Sequence, residues 1–268
     1  MAWLKDQPPK WKRHRTWVVS LGCCLCMLIF LTPKVPHSPR FHLYADKRNF
    51  LGVPNTLNVI TNFPFLIVGV LGFVLCLQGS FFVISLKGEA VGWTLFYLGI
   101  AGVAFGSAYY HIKPDDTRLM WDTLPMTISY SALLSCLLVE RVGIRTGIAC
   151  LIPLLGLAFL CTCYERTLDD LRLCMIFQLI PCVIIPMVTF FYPSKYTHSR
   201  YWLWSAGAYV LARFEAVADQ KIYRANHYVI SGHSLGHLCL VMVPILLSIM
   251  LTFRSLKFQR LGDLKECL

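Results

Sequence analysis

Two histidines four residues apart, in Ser231-Gly232-His233-Ser234-Leu235-Gly236-His237, project from one face of any helix that carries them. The same spacing joins Ser107 to His111 in Gly106-Ser107-Ala108-Tyr109-Tyr110-His111, and a carboxylate follows eleven residues later in Trp121-Asp122-Thr123-Leu124-Pro125-Met126. Three imidazoles are a zinc ligand set that leaves one coordination position open for water. Zinc held in this way acidifies water and polarises a carbonyl. A nearby carboxylate can take the proton, and a hydroxyl can hydrogen-bond an oxyanion. His111, His233, His237, Asp122 and Ser107 supply those parts. Each also has an ordinary reading: Asp122, three residues before Pro125, as a helix cap, Ser107 as a packing residue, and a lone His-x-x-x-His as a weak metal signal. No glutamate follows His233, which sets the pair apart from the helix of soluble metalloproteases. The argument for a site is the convergence of five such groups.

The elements that carry them are apolar. Of 268 residues 56% are hydrophobic and only 15% charged, more apolar surface than a soluble domain of this size can hide. A membrane span needs roughly 20 largely apolar residues. Eight stretches qualify, at about 17–32, 56–78, 91–111, 123–139, 146–163, 173–192, 201–217 and 229–252, the seventh interrupted by Arg213 and Glu215. In lipid such runs must be helices, so the fold class is all-α: a polytopic membrane bundle with a seven-helix core and an extra N-terminal span. The chain divides into a basic head at 1–16, a signal-anchor-like span at 17–32, a non-cytoplasmic segment at 33–55, the core at 56–253 and a basic tail at 254–268. The absence of a small-residue cleavage site before Pro33 favours an anchor that is retained.

The formal net charge of +11 follows the predicted topology, which argues against nucleic-acid binding. With the N-terminus cytoplasmic, that side collects fourteen basic and five acidic residues against eleven and nine on the other. Both termini are then cytoplasmic. The end of the third span and the starts of the fourth and eighth, with all five candidate groups, share the opposite side. Most of the twelve cysteines lie in apolar runs and read as buried thiols, although Cys163 and Cys174 flank one external loop and could pair. Glu215 and Asp219, with Arg213, Lys221 and Arg224 nearby, read as a solvated ion-pair patch. Pro181 and Pro186 are expected to kink the sixth span.

At these residues the chain resembles the alkaline ceramidases and the wider seven-span hydrolase superfamily that includes the adiponectin and progestin receptors. Ser107-x-x-x-His111, Asp122 in Asp-x-Leu-Pro-Met, and His233-x-x-x-His237 match the three motif blocks in order and spacing, and the likeness runs from Asp46 to Arg254. It implies Zn2+ on His111, His233 and His237, with Ser107 and Asp122 as catalytic partners. The implied substrate is a membrane lipid, a ceramide, phytoceramide or dihydroceramide, cleaved to a sphingoid base and a fatty acid at the luminal side of the endoplasmic reticulum or Golgi. The family's calcium-binding segment is poor in carboxylates here: Asp46, Asn49, Asn55 and Asn58 keep one acid, beside Lys47 and Arg48. That composition disfavours Ca2+, and these residues could instead tie the loop down by local hydrogen bonds. The readings from other classes are a receptor-like or scaffold protein with structural zinc and a proton-coupled transporter. The oligomeric state is not legible in the sequence.

Overall fold

A computed structural model describes Met27 and residues 31–257. The expected head and most of the N-terminal span lie outside the described residues. Within them the chain is all-helical, with no strand beyond two isolated bridges. Its helices are α1 (Thr56–Gln78), α2 (Glu89–Ile112), α3 (Asp116–Arg141), α4 (Ile144–Leu168), α5 (Arg172–Phe191), α6 (Tyr201–Val217), the short α7 (Asp219–Ala225) and α8 (Gly232–Phe253). Six of them, α1 to α5 and α8, are long and apolar enough to cross a membrane. The seventh expected span is helix α6. At 17 residues it reaches about 25 Å, short of the roughly 30 Å hydrocarbon core, and α7 continues the path after a break at Ala218.

Sequence explains the boundaries. Asp115 caps α3 by accepting from the Arg118 N–H at 2.9 Å, so this helix starts two turns before the expected residue 123. Ser231 caps α8 by accepting from the Ser234 N–H at 3.1 Å, which puts His233 in the first turn. Between Pro181 and Pro186, α5 widens into a π turn over Ile180–Ile184, the local response to missing N–H donors.

Consecutive helices α1 to α4 pack side by side, α5 lies against α3 and α6, and α8 pairs with α6 and returns to α1, closing the bundle. The core is aromatic, with Trp93 and Trp202 5.7 Å apart and Tyr130 edge-on to Tyr209 at 5.6 Å. Large apolar side chains such as Phe63, Leu71, Phe105, Phe159 and Phe190 point outward, the arrangement a lipid solvent favours. The protein is a multi-pass membrane helix bundle.

The two ends of the bundle carry different polar structures. At one end Arg254, the first residue of the expected basic tail, is fully buried and pairs with Glu89 at 3.0 Å and Glu140 at 3.6 Å. Tyr196 donates to Glu89 at 2.9 Å, Ser194 and Trp202 donate to Glu140 at 2.8 and 3.1 Å, and Arg141 pairs with Glu140 at 3.0 Å. Two acids and two bases thus lock the start of α2 to the ends of α3 and α8. At the other end residues 33–55 lie across the bundle. His37 meets Asp169 at 2.6 Å and Glu165 at 3.3 Å, His42 meets Asp116 at 2.8 Å, and the Ala45 N–H donates to Asp219 at 2.7 Å.

Cys163 and Cys174 are both free thiols. Cys163 is exposed, while Cys174 is buried with its Sγ 3.2 Å from Glu165, so the pairing considered from sequence does not form.

Candidate active site

The site is assembled where backbones touch. On α8 the repeat Gly232-His233-x-x-Gly236-His237 faces two ways. A Cβ at Gly232 would collide with the Glu215 carbonyl and one at Gly236 would lie 2.9 Å from the Ala212 carbonyl, so the glycines let α8 press on α6. The histidines one residue later turn toward the bundle interior. Across the bundle, a Cβ at Gly106 would collide with the Trp121 carbonyl. That close approach of α2 and α3 brings the residues after each contact, Ser107 and Asp122, together as side-chain partners. Asp122 lies in the second turn of α3, and Asp115 takes the capping role.

His111, at the end of α2, and His233 face each other with their Nε2 atoms 3.2 Å apart. The ring of His237 lies 5.1 Å from that of His111 and 4.6 Å from that of His233. One nitrogen from each falls within 4.8 Å of the others, a group that could hold a metal ion. Two nitrogens at about 2.0–2.1 Å from a tetrahedral zinc would stand roughly 3.3 Å apart, so the 3.2 Å separation fits. Thr61 Oγ1 lies 2.9 Å from Nδ1 of His237 and orients that ring from behind, leaving its Nε2 for the shared point. His111 and His237 are buried, and among the described residues Nδ1 of His111 has no hydrogen-bond partner.

Several supporting residues carried no signal in the sequence. Tyr44 covers two of the histidines, its ring 4.8 Å from His111 and 4.4 Å from His233. Its hydroxyl donates to Tyr110 at 3.0 Å, Tyr110 lies 2.8 Å from His42 Nδ1, and His42 Nε2 lies 2.8 Å from Asp116. Burial pushes the Tyr44 phenol well above its usual range, so it stays a neutral donor in this chain. Asp219 is buried and accepts from the His233 N–H at 2.8 Å through one oxygen and from the Ala45 N–H through the other, tying the crossing segment 33–55, the strap, to the start of α8. Asp219 and Glu215 are therefore interior groups and not the solvated patch expected, because the glycines of α8 bring this end of α6 inside.

The carboxylate-poor segment is engaged in separate hydrogen bonds. Asp46 accepts from Arg48 at 2.6 and 2.9 Å. Burial would raise its carboxyl pKa, but the bonds and charge of Arg48 hold it below the ordinary value. Asn55, in a left-handed conformation at φ 48°, donates to the His111 carbonyl at 2.9 Å. Asn58 accepts from Ser234 at 2.6 Å, one residue from His233. Asn49 is exposed.

The family model described as Ceramidase matches residues 53–257, a stretch that contains all five candidate groups. The chain belongs to the ceramidase family. Comparison with curated proteins and with solved structures found no match. A surface cleft lined by Thr197, His198, Arg200, Tyr201 and Lys257 carries none of the five candidate groups.

Proposed function

We propose that this ceramidase-family chain is a zinc-dependent hydrolase that cleaves the amide of ceramide, phytoceramide or dihydroceramide inside the membrane. The observation that carries the reading is the convergence of His111, His233 and His237 on one point within a bundle whose outer surface is apolar. The three imidazoles would hold zinc, with Thr61 setting the ring of His237 and Asp219 setting the backbone of His233. Zinc, when bound, supplies Lewis acidity toward the amide carbonyl and acidifies water.

The chain's own groups would do the rest. Water adds to the acyl carbon and the C–N bond breaks, giving a fatty-acid carboxylate and the amine of the sphingoid base. Asp122 would accept the proton from water and return it to the leaving nitrogen, and the Ser107 hydroxyl, partnered with Asp122 at rest, would turn to donate to the oxygen that becomes negative once Asp122 is protonated. A two-chain lipid is the substrate class suited to a polar site reached from an apolar surface. The charge bias and the family resemblance together support an endoplasmic reticulum or Golgi membrane, with both termini cytoplasmic and the site luminal.

Purified protein in nonionic detergent is expected to release fatty acid and sphingoid base in equal amounts from at least one of the three lipids. A folded, zinc-loaded protein inert toward all of them would contradict the reading and leave a receptor-like role.

A further inference from the structure

The strap is fastened at one point in a way that depends on a proton. His37 has both ring nitrogens on carboxylates, Nδ1 at 2.6 Å from Asp169 and Nε2 at 3.3 Å from Glu165. A neutral imidazole carries a single N–H, so it can donate to one of these acids only and turns a lone pair on the other. Imidazolium, with two donors, satisfies both. His42, five residues later, differs. Its Nε2–H donates to Asp116 at 2.8 Å, while its Nδ1 accepts from the Tyr110 hydroxyl at 2.8 Å, so the neutral ring already completes its bonds.

The surroundings of His37 favour its charge. Asp169 closes α4, and Glu165, one turn earlier, is buried with its other oxygen accepting from Cys174 of α5 at 3.2 Å. Asp116 at the start of α3 adds a third negative charge. Of the nearby bases, Arg172 is paired with Asp170 at 2.7 Å and Lys34 is exposed on the strap itself. Partial burial works against a charged ring, but the bonds to Asp169 and Glu165 and the charges of Asp116 and Glu165 outweigh it and hold His37 above its ordinary value of 6.5. Just before His37 the fastening needs no such proton: the Val35 carbonyl accepts from the Leu171 N–H at 2.9 Å and the Thr32 carbonyl from Arg172 at 2.6 Å. Just after it comes Tyr44, whose ring lies on His111 and His233.

We infer that His37 is a proton-operated clasp, closed while its ring bridges Asp169 and Glu165 as imidazolium, that holds residues 37–44 of the strap over the three-histidine cluster. When the ring gives up its proton, the buried Glu165 carboxylate faces a lone pair, and the strap must move to let water reach it. The sign follows from the raised value: the clasp contributes its full hold below about pH 6.5 and loses it as the pH rises through the value in the folded protein. The strap is therefore tightest in mildly acidic surroundings and loosens toward alkaline pH, uncovering the side of the cluster that Tyr44 occupies. The inference concerns the strap alone and holds whatever reaction the cluster performs.

Hydrogen–deuterium exchange of the full chain in nonionic detergent reads the clasp without any assay of turnover. Amide protection over residues 35–45, corrected for the intrinsic pH dependence of exchange, is compared at about pH 5.5 and about pH 9. Wild type is expected to lose protection about tenfold or more between the two. His37→Gln cannot carry the charge and is expected to show the low protection at both. Glu165→Gln gives the opposite result, because its amide can donate to Nε2 of a neutral His37 while its oxygen accepts from Cys174; the strap should then stay protected at both. Wild-type protection that does not change with pH overturns the inference, as does a pH dependence that survives in His37→Gln or in Glu165→Gln. Should His37→Gln fail to fold, Glu165→Gln decides alone.

Discussion

Asp122→Asn is expected to lower kcat/KM for ceramide hydrolysis by about a hundredfold to ten-thousandfold while the protein keeps its fold and its metal. The amide replacing the carboxylate preserves shape and can still pair with Ser107, but it cannot accept a proton from water. Asp122 is outside the three-histidine group, so zinc content should not change. Metal analysis and steady-state kinetics on one preparation check both halves. Activity within tenfold of wild type would remove Asp122 from the proton transfer, and loss of zinc along with activity would make it a structural residue.

Arg254→Ala is expected to destabilise the bundle by about 3–5 kcal/mol, the cost of leaving buried charges uncompensated. Glu89 and Glu140 would then face each other with only Arg141 to balance them, and the contact between the ends of α2, α3 and α8 would lose its centre. Thermal unfolding in detergent should show the drop. Replacing both Glu89 and Arg254 by uncharged residues should cost less than Arg254→Ala alone. A single variant as stable as wild type would show that the cluster contributes nothing to holding this end together.

The five candidate groups were legible in the sequence because helical spacing is a local property. Four residues between Ser107 and His111, and between His233 and His237, fix a shared face whatever surrounds the helix. The all-helical membrane fold was legible for a similar reason, since the length and polarity of each run decide it. Arg254 was not. As the first charge after a span it looks like any cytoplasmic basic residue, and only the bundle brings it to Glu89, 165 positions earlier in the chain. Tyr44 and Thr61 escaped for the same reason, because their roles depend on which loop crosses which helix end. Glu215 was misread because the glycines that bury it belong to α8 and not to its own helix.

Geometry also separates what supports the site from what performs chemistry. Asn55 and Asn58 each contact the histidine framework through hydrogen bonds at His111 and beside His233, and Asp46 holds the strap through Arg48. The end of that segment and the first turn of α1 thereby brace the three histidines. Of the four residues singled out there, Asp46, Asn55 and Asn58 make these contacts and Asn49 is exposed.

The central claim is that His111, His233 and His237 hold one zinc ion. Its most direct test is metal content per chain, by plasma mass spectrometry, of purified wild type beside a His233→Ala, His237→Ala double variant shown to be folded by circular dichroism. The account predicts about one zinc per wild-type chain and essentially none in the variant. A folded wild type without metal, or a variant that keeps its zinc, would contradict it.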